Sequence, residues 1–170
     1  MKLTFDGISP CWEEGIPLGN GRMGAVLCSE PETDVLYLND DTLWSGYPHA
    51  ETSPVTPEIV AKARQASLHD DYTAATRIIK EATLQEKDEQ IYEPFGTARI
   101  QYSTPAGGRE SMKRQLDLAR ALAGETFQMG DANVHVDAWC SEPDDLLVYR
   151  MSSDAPVDVN ISVAGTFLKQ

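Results

Sequence analysis

Four pairs of adjacent carboxylates are the first residues in this sequence whose chemistry could serve catalysis. The pairs are Glu13-Glu14, Asp40-Asp41, Asp70-Asp71 and Asp144-Asp145. A catalytic acid and base must converge across a substrate, about 5 to 10 Å apart when both are carboxylates, whereas neighbours in a strand point to opposite faces. Adjacency therefore identifies no catalytic residue. Because Asn39 and Thr42 flank Asp40-Asp41, and such side chains bond their own backbone, this pair is predicted to form a turn or cap.

A histidine and an aspartate two residues apart could begin a metal site. His135 and Asp137 share one face of a predicted strand, which is the geometry of a partial zinc site, and His49 and His69 could complete it. No third ligand has the spacing of a zinc motif. A solvent-facing hydrogen-bonded pair is therefore the favoured interpretation, and no metal is expected.

A glycine-rich run could cradle a phosphate. Gly19, Gly21 and Gly24 spell G-x-G-x-x-G, but a dinucleotide site needs a strand before the glycines and a helix after them. The residues that follow indicate β structure, and the kinase tripeptides H-R-D and D-F-G are absent from the sequence. The run is predicted to be a turn in which at least two glycines have a backbone that a Cβ would strain. No nucleotide or other cofactor is expected.

Cysteine chemistry is not favoured by the sequence. Cys11, Cys28 and Cys140 are odd in number and lack the close spacing of a metal knuckle, so reduced, buried thiols are expected. No G-x-S-x-G motif accompanies the histidines. Nucleophilic catalysis is therefore not predicted.

Aromatic residues beside the glycine-rich loops have two open interpretations. Trp12, Trp44, Tyr47 and Trp139 could stack on sugar rings or anchor a domain interface. Interface anchoring is favoured. The candidate residues for interface or glycan contact are Trp12, Asn20, Arg22, Asn39, Asp41 and Trp44.

Composition restricts the possible partners. The 170 residues carry 14 Lys+Arg and 27 Asp+Glu, a net charge of −13, which disfavours nucleic acid and anionic membranes. The densest basic stretch, Arg109 to Arg120, also contains acidic residues and is interpreted as a solvated strand edge. With 41% hydrophobic and 24% charged residues, one folded domain is expected. The sequence shows no signal peptide and no membrane span, so a cytoplasmic location is expected.

Hydrophobic spacing predicts the elements that carry these residues. Residues 12–44 indicate strands, including one over Met23 to Leu27 and one over Val35 to Leu38. Residues 57–83 predict a helical hairpin, with Thr56 and Asp70 as the two helix caps. After residues 92–96 the spacing of the hydrophobic residues returns to two, which is typical of strands.

Two alternating segments near the end of the sequence support an antiparallel sheet. One apolar row is Val134, Val136, Ala138 and Cys140; a second is Val157, Val159, Ile161 and Val163. The predicted fold is mostly β, an antiparallel β-sandwich over residues 1–170 with an inserted helical hairpin. The last strand runs almost to Gln170 without a closing turn, which indicates that the domain is incomplete.

Two long sequence stretches resemble a known enzyme family. Residues 12–25 read WEEGIPLGNGRMGA and residues 38–46 read LNDDTLWSG. They resemble the opening of the α-L-fucosidase-type glycoside hydrolases of family 95, which carry W-x-E-A-x-P-x-G-N-G-x-x-G-A and L-N-E-D-T-L-W-S-G. Gly15 and Asp40 depart mildly from this pattern. The segments YEPFG at 92–96, RQLDL at 114–118 and SEPD at 141–144 extend the resemblance over nearly the whole chain.

The resemblance implies a supersandwich N-terminal domain that precedes an (α/α)6 catalytic barrel. In that family a Glu acid and an Asp base, aided by Asn, act from the barrel, so no catalytic residue carries over to this chain. The expected function is a non-catalytic domain that packs on the barrel of an enzyme acting on fucosylated glycans, with homo-oligomers possible. The alternatives are a stand-alone carbohydrate-binding or adaptor module, and a small independent enzyme with two converging carboxylates.

Overall fold

A computed structural model describes residues 1–45, 54–83, 91–103 and 108–165. Tyr47 and His49 lie outside the described residues. The chain divides into two compact units, one formed by Met1–Leu43 with Glu93–Gln170 and the other by Trp44–Tyr92.

Ten strands and two α-helices make up the regular structure of the described residues. The strands are β1 (Lys2–Asp6), β2 (Ile16–Gly19), β3 (Met23–Ser29), β4 (Thr33–Asp40), β5 (Gly96–Ser103), β6 (Glu110–Asp117), β7 (Leu122–Met129), β8 (Ala132–Ser141), β9 (Leu146–Ser153) and β10 (Asp158–Gly165). The helices are α1 (Pro57–Leu68) and α2 (Tyr72–Thr83), and Trp12–Glu14 form one 3-10 turn.

All strands of the first unit belong to two antiparallel five-stranded sheets. The first sheet has the order β1-β6-β7-β8-β9, and the second has the order β10-β5-β4-β3-β2. This arrangement confirms the predicted fold class, a mostly β antiparallel sandwich with an inserted helical hairpin.

The hydrophobic core is formed by apolar side chains at every second position of the strands. Leu27 of β3 and Leu36 of β4 are direct partners, and both point towards the opposite sheet. On β8, Val134, Val136 and Ala138 are buried on one face, as the period of two predicts. Each fully buried side chain of this size contributes about 1.5 to 3 kcal/mol, so the facing rows of the two sheets supply the main stabilisation.

The second unit contains the two helices, and their packing uses small side chains. Ala63 of α1 is buried, while Ala75 and Ile79 of α2 are half-buried. The Thr56 hydroxyl accepts a hydrogen bond from the Ile59 N–H, which confirms the predicted cap of α1. No helix among the described residues combines the length and the apolar composition that crossing a bilayer requires.

The predicted cap of α2 is wrong by one residue. The Asp71 carboxylate accepts a hydrogen bond from the Ala74 N–H at 2.9 Å, which is the capping contact. Asp70 instead has a φ of +61° and forms the turn between the helices. Aspartate tolerates this left-handed conformation better than most residues, so it serves the turn and leaves the cap to its neighbour.

The glycine-rich run forms the hairpin turn between β2 and β3, and no helix follows it. The prediction that at least two of its glycines have a strained conformation is wrong. Gly21 has a φ of +99°, whereas Gly19 and Gly24 have ordinary φ values because they lie within the strands. A single left-handed residue is enough to reverse the chain here.

Candidate functional site

An open groove lies on the outer face of the second sheet, opposite the core. We call it the outer groove; its cavity volume is about 460 Å³. The side chains that give it its character are Trp12, Pro17, Val26, Tyr37, Asn39 and Pro94. Apolar rings and methyl groups dominate this surface, and Asn39 and Thr97 are the polar residues that interrupt it.

Strand register builds the floor of the outer groove. Val26 and Tyr37 are direct partners on β3 and β4, and they point away from the core because their neighbours Leu27 and Leu36 point into it. Gly24, the partner of Asn39, contributes no side chain. The floor beside Asn39 is therefore formed by backbone alone.

A short N-terminal segment builds one wall of the groove. A Cβ at Gly15 would lie 2.7 Å from the Cys28 Sγ and would also collide with Val26. Only glycine lets residues 11–15 lie directly on the sheet. The Cys28 thiol donates a hydrogen bond to the Cys11 carbonyl at 3.5 Å, and burial raises the pKa of Cys28. Trp12 is held beside the groove with 55% of its surface exposed.

Asn20 and Arg22 have structural contacts outside the groove. The Asn20 side-chain oxygen accepts hydrogen bonds from the N–H groups of Arg22 and Met23, at 3.1 and 2.8 Å. Its amide nitrogen donates to the Ser141 carbonyl at 3.0 Å and to Asp145 at 3.2 Å. Arg22 pairs with Asp145 at 2.6 Å. These bonds join the β2–β3 turn to the β8–β9 turn across the two sheets.

Asp40 and Asp41 confirm the turn interpretation. Asp40 Oδ1 accepts from the Thr42 N–H at 3.0 Å and from its hydroxyl at 2.5 Å, and these bonds lower the pKa of Asp40. The Asp41 N–H donates to the Arg22 carbonyl at 3.0 Å. Asp41 therefore belongs to the same turn region as Arg22.

Trp44 belongs to the second unit. Its ring packs edge-to-face on Tyr92, with 5.3 Å between centroids, and 54% of its surface is exposed. Of the six candidate residues, the structure brings Trp12 and Asn39 together in the outer groove and gives Asn20, Arg22 and Asp41 turn contacts.

Sequence reasoning missed a group of ionisable side chains between the sheets, two of them phenolic. We call it the core charge cluster, and its members are Asp34, Tyr102, Arg109, Glu125 and Tyr149. Asp34 accepts hydrogen bonds from the Tyr102 hydroxyl, at 2.8 Å, and from the Tyr149 hydroxyl. Its other oxygen pairs with Arg109 at 2.5 Å.

The core charge cluster overturns the interpretation of Arg109 to Arg120 as a solvated edge. The Arg109 side chain is fully buried, and its guanidinium lies 4.5 Å from the ring centroids of Tyr102 and Phe127. Arg114 is also buried and donates to the carbonyls of Gly7 and Glu14, both at 2.9 Å. Buried arginines are tolerated here because carboxylates, carbonyls and ring faces replace water.

Glu125 is the second carboxylate of this cluster. It accepts a hydrogen bond from the Ser29 hydroxyl and lies 3.9 Å from Arg109. Burial, reinforced by the nearby charge of Asp34, raises the pKa of Glu125 to about 8. The sequence could have indicated that Glu125 points inwards, because it lies on the same strand face as the core residues Ala123 and Phe127.

The two carboxylates converge, but a substrate cannot reach them. The side chains of Asp34 and Glu125 are both fully buried, and neither lines the outer groove. An acid–base pair needs a cavity beside it in which a reacting atom can sit. The cluster therefore gives no support to an independent enzyme.

His135 and Asp137 lie side by side, as the favoured interpretation expected, but the pair is not solvent-facing. Their side chains approach to 3.2 Å, with His135 half exposed and Asp137 buried. Arg150 also pairs with Asp137. Within the described ranges, no three His, Cys, Asp or Glu side chains form a group that could hold a metal ion.

In comparison with known proteins, the chain is similar to proteins named as α-fucosidases. The chain is 28% identical over 166 residues to "Alpha-L-fucosidase 2" of Arabidopsis thaliana, a match that covers 96% of the chain and 20% of the relative. It is 28% identical over 178 residues to "Probable alpha-fucosidase A" of Aspergillus niger, covering 91% of the chain and 21% of the relative. The chain thus spans about a fifth of the length of these relatives.

A family profile covers almost the whole chain. Residues 3–169 match the family described as "Glycosyl hydrolase family 65, N-terminal domain". The sequence had suggested the N-terminal domain of family 95, so the shared conclusion is the N-terminal position in a glycosyl hydrolase. The chain belongs to the family of N-terminal domains of glycosyl hydrolase family 65.

Proposed function

We propose that this chain is the non-catalytic N-terminal domain of an α-L-fucosidase-like glycoside hydrolase. The observation that carries the proposal is the match to the Arabidopsis relative, which takes in 96% of this chain but only 20% of that enzyme. Most of the relative, enough for a catalytic domain, lies outside the matched region. The inaccessible carboxylates of the core charge cluster are consistent with catalysis elsewhere.

We further propose that the outer groove receives the catalytic domain, an (α/α)6 barrel by resemblance, and that the assembled enzyme acts on fucosylated glycans. Trp12 and Tyr37 are 55% and 37% exposed in the groove. Domain interfaces favour large aromatic anchors and few charges at their centres. The side chains that give the groove its character carry no formal charge.

A chimera tests this function. The matched segment of the Arabidopsis relative is replaced with residues 1–170, and hydrolysis of a synthetic α-L-fucoside is measured. We expect the chimera to retain activity and the isolated chain to have none. Trp12→Ala and Tyr37→Ala should lower the thermal stability of the chimera by more than they lower that of the isolated chain, because only the chimera has an interface to lose. Trp44→Ala, which removes an equally exposed ring that packs on Tyr92, should lower both equally. Hydrolysis by the isolated chain would contradict the proposal.

Glycan binding is a second candidate function, favoured by the same groove. Two exposed rings beside the Asn39 amide form a surface on which a sugar can stack and hydrogen-bond. Calorimetric titration of the isolated chain with a fucosylated oligosaccharide decides between the two. Binding that is lost in Trp12→Ala and kept in Trp44→Ala would establish a carbohydrate-binding module.

A further inference from the structure

Two cysteines that are 17 positions apart in the sequence meet beside β3, where the Cys28 thiol donates to the Cys11 carbonyl at 3.5 Å. Because the Cα–C and C=O bonds are about 1.5 and 1.2 Å long, the Cys28 Sγ lies at most about 6.2 Å from the Cys11 Cα. The Cα atoms that a disulfide joins are usually about 4.4 to 6.8 Å apart. The Cys28 sulfur therefore already lies within that distance of the Cys11 backbone, and it points towards it.

The segment that carries Cys11 is fastened to the sheet on both sides of that cysteine. We call residues 9–15 the arch. At one end the Ser9 N–H donates to the Ser29 carbonyl at 2.8 Å, and the Ser29 N–H donates to the Ser9 hydroxyl oxygen at 2.8 Å. At the other end the buried Arg114 donates to the Glu14 carbonyl at 2.9 Å. These contacts lie within the chain itself, so the meeting of the two cysteines does not depend on any other part of a longer protein.

The two thiols differ in how far solvent reaches them. Cys28 is buried under the arch, where a Cβ at Gly15 would lie 2.7 Å from its sulfur. Burial raises the pKa of Cys28, and the neighbouring Cys11 thiol raises it further. Cys11 is exposed. An oxidant can therefore reach Cys11 directly, while Cys28 is held in place as the thiol that responds.

We propose that Cys11 and Cys28 are a redox pair that closes to a reversible disulfide, with a low-molecular-weight disulfide such as glutathione disulfide as the oxidant. This goes beyond the proposed function, because it concerns a covalent bond between two thiols of this chain. The bond fastens the arch to β3. It thereby fixes the segment that holds Trp12 beside the outer groove.

The exchange takes place in two steps, and the exposure of the thiols sets their order. The Cys11 thiolate attacks one sulfur of glutathione disulfide, the S–S bond of that molecule breaks, and one glutathione leaves as a thiolate. The Cys28 thiolate then attacks the Cys11 sulfur and expels the second glutathione thiolate. The protein loses two electrons and two protons, which convert glutathione disulfide into two molecules of glutathione.

The third cysteine of the chain supplies matched variants. Cys140 is half-buried on β8, which belongs to the other sheet. Cys140→Ser leaves the proposed pair intact. Cys28→Ser removes the responding thiol but keeps a hydroxyl that can donate to the Cys11 carbonyl. Each variant retains two cysteines, so the two differ in which thiols remain and not in their number.

Equilibration in buffers of reduced and oxidised glutathione tests the pairing. After acid quenching and alkylation of free thiols, mass spectrometry of the peptides identifies each disulfide. We expect a Cys11–Cys28 disulfide in the native chain and in Cys140→Ser, whereas Cys28→Ser should stop at one glutathione bound to Cys11. A native chain that keeps glutathione on Cys11 beside a free Cys28, or that links Cys11 to Cys140, would rule the proposal out.

The same equilibrium in urea shows whether the fold, and not merely closeness in sequence, makes the pair. A disulfide that fits the native geometry stabilises the folded state over the unfolded one. We therefore expect the equilibrium constant for Cys11–Cys28 formation from glutathione disulfide to be at least tenfold greater in the folded chain than in urea. The oxidised chain should accordingly unfold at a higher urea concentration than the reduced chain. An equal or smaller constant in the folded chain would overturn the proposal.

Discussion

The fully buried carboxylate of Asp34 contacts three polar side chains. It bonds Tyr102 and Tyr149 and pairs with Arg109, and the Asp34 and Arg109 side chains are both fully buried. Removing one partner of a buried pair leaves an uncompensated charge, which costs more than the pair itself contributes. Asp34 is therefore the main counter-charge of Arg109, because Glu125, 3.9 Å away, holds a proton below about pH 8.

Asp34→Asn should lower the free energy of unfolding by about 3 to 5 kcal/mol, because Arg109 loses its counter-charge while the shape of the side chain is kept. Tyr149→Phe removes one donor to the same oxygen and should cost about 1 kcal/mol. Urea denaturation of both variants measures the two values. Equal losses would mean that the charge of Asp34 contributes nothing beyond a hydrogen bond.

Glu125 should give the fold a pH dependence of known sign. The pKa of Glu125 is raised by burial to about 8 in the fold, from an ordinary value of 4.5. Between these values the folded chain keeps a proton that the unfolded chain has lost. The stability contributed by this proton is present below about pH 4.5 and is lost as pH rises through about 8.

Glu125→Gln stays neutral, so its free energy of unfolding should fall less than that of the native chain between about pH 5 and about pH 8. Urea denaturation across this range measures both slopes. Identical slopes for the two proteins would show that Glu125 is already ionised at the lower pH.

For single residues, the sequence predicted contacts between near neighbours in the chain better than contacts between distant ones. The turn around Asp40 and the cap at Thr56 involve residues within three positions, so residue type and spacing were sufficient. Arg109 and Asp34 meet across a separation of 75 residues. Composition around Arg109 indicated a solvated edge because nothing local reveals a partner on another strand.

Among the elements, the segment at residues 11–15 depends on a single glycine. Gly15→Ala would force the Cys28 thiol, 2.7 Å from the new Cβ, to move. We expect a loss of about 1 to 3 kcal/mol and a change in tryptophan fluorescence as Trp12 shifts. Gly108→Ala meets its nearest atom, the Pro31 carbonyl oxygen, at 3.6 Å and is the matched control. Unchanged stability of Gly15→Ala would contradict the close packing.

Alternation along a strand predicts the side of a side chain but not its burial. The period of two correctly placed Val134 and Val136 in the core. It also placed Ile161 and Val163 on the inner face, where both are largely exposed. Burial requires that the opposite sheet extends over that position, and the sequence of one strand contains no information about the reach of another.

For the whole molecule, the ends of the Trp44–Tyr92 unit are adjacent. Trp44 and Tyr92 are antiparallel partners, and the Ser45 N–H donates to the Ile91 carbonyl at 2.9 Å. Replacing residues 46–90 with Asn-Gly should leave both sheets folded, because the entropic cost of closing a loop is smaller for a shorter loop. We expect a Tm by circular dichroism equal to or above that of the native chain. A Tm lowered by more than about 5 °C would show that the sheets depend on this unit.

Cys11 gives the outer groove a natural point of attachment for a reporter. The expectation of three buried thiols holds for Cys28 alone, since Cys11 is exposed next to Trp12 and Cys140 is half-buried. Burial raises the pKa of both Cys28 and Cys140, and thiols react as thiolates. A maleimide dye should therefore label Cys11 selectively in the unmodified chain, and its emission would report directly when a protein surface or a sugar fills the groove.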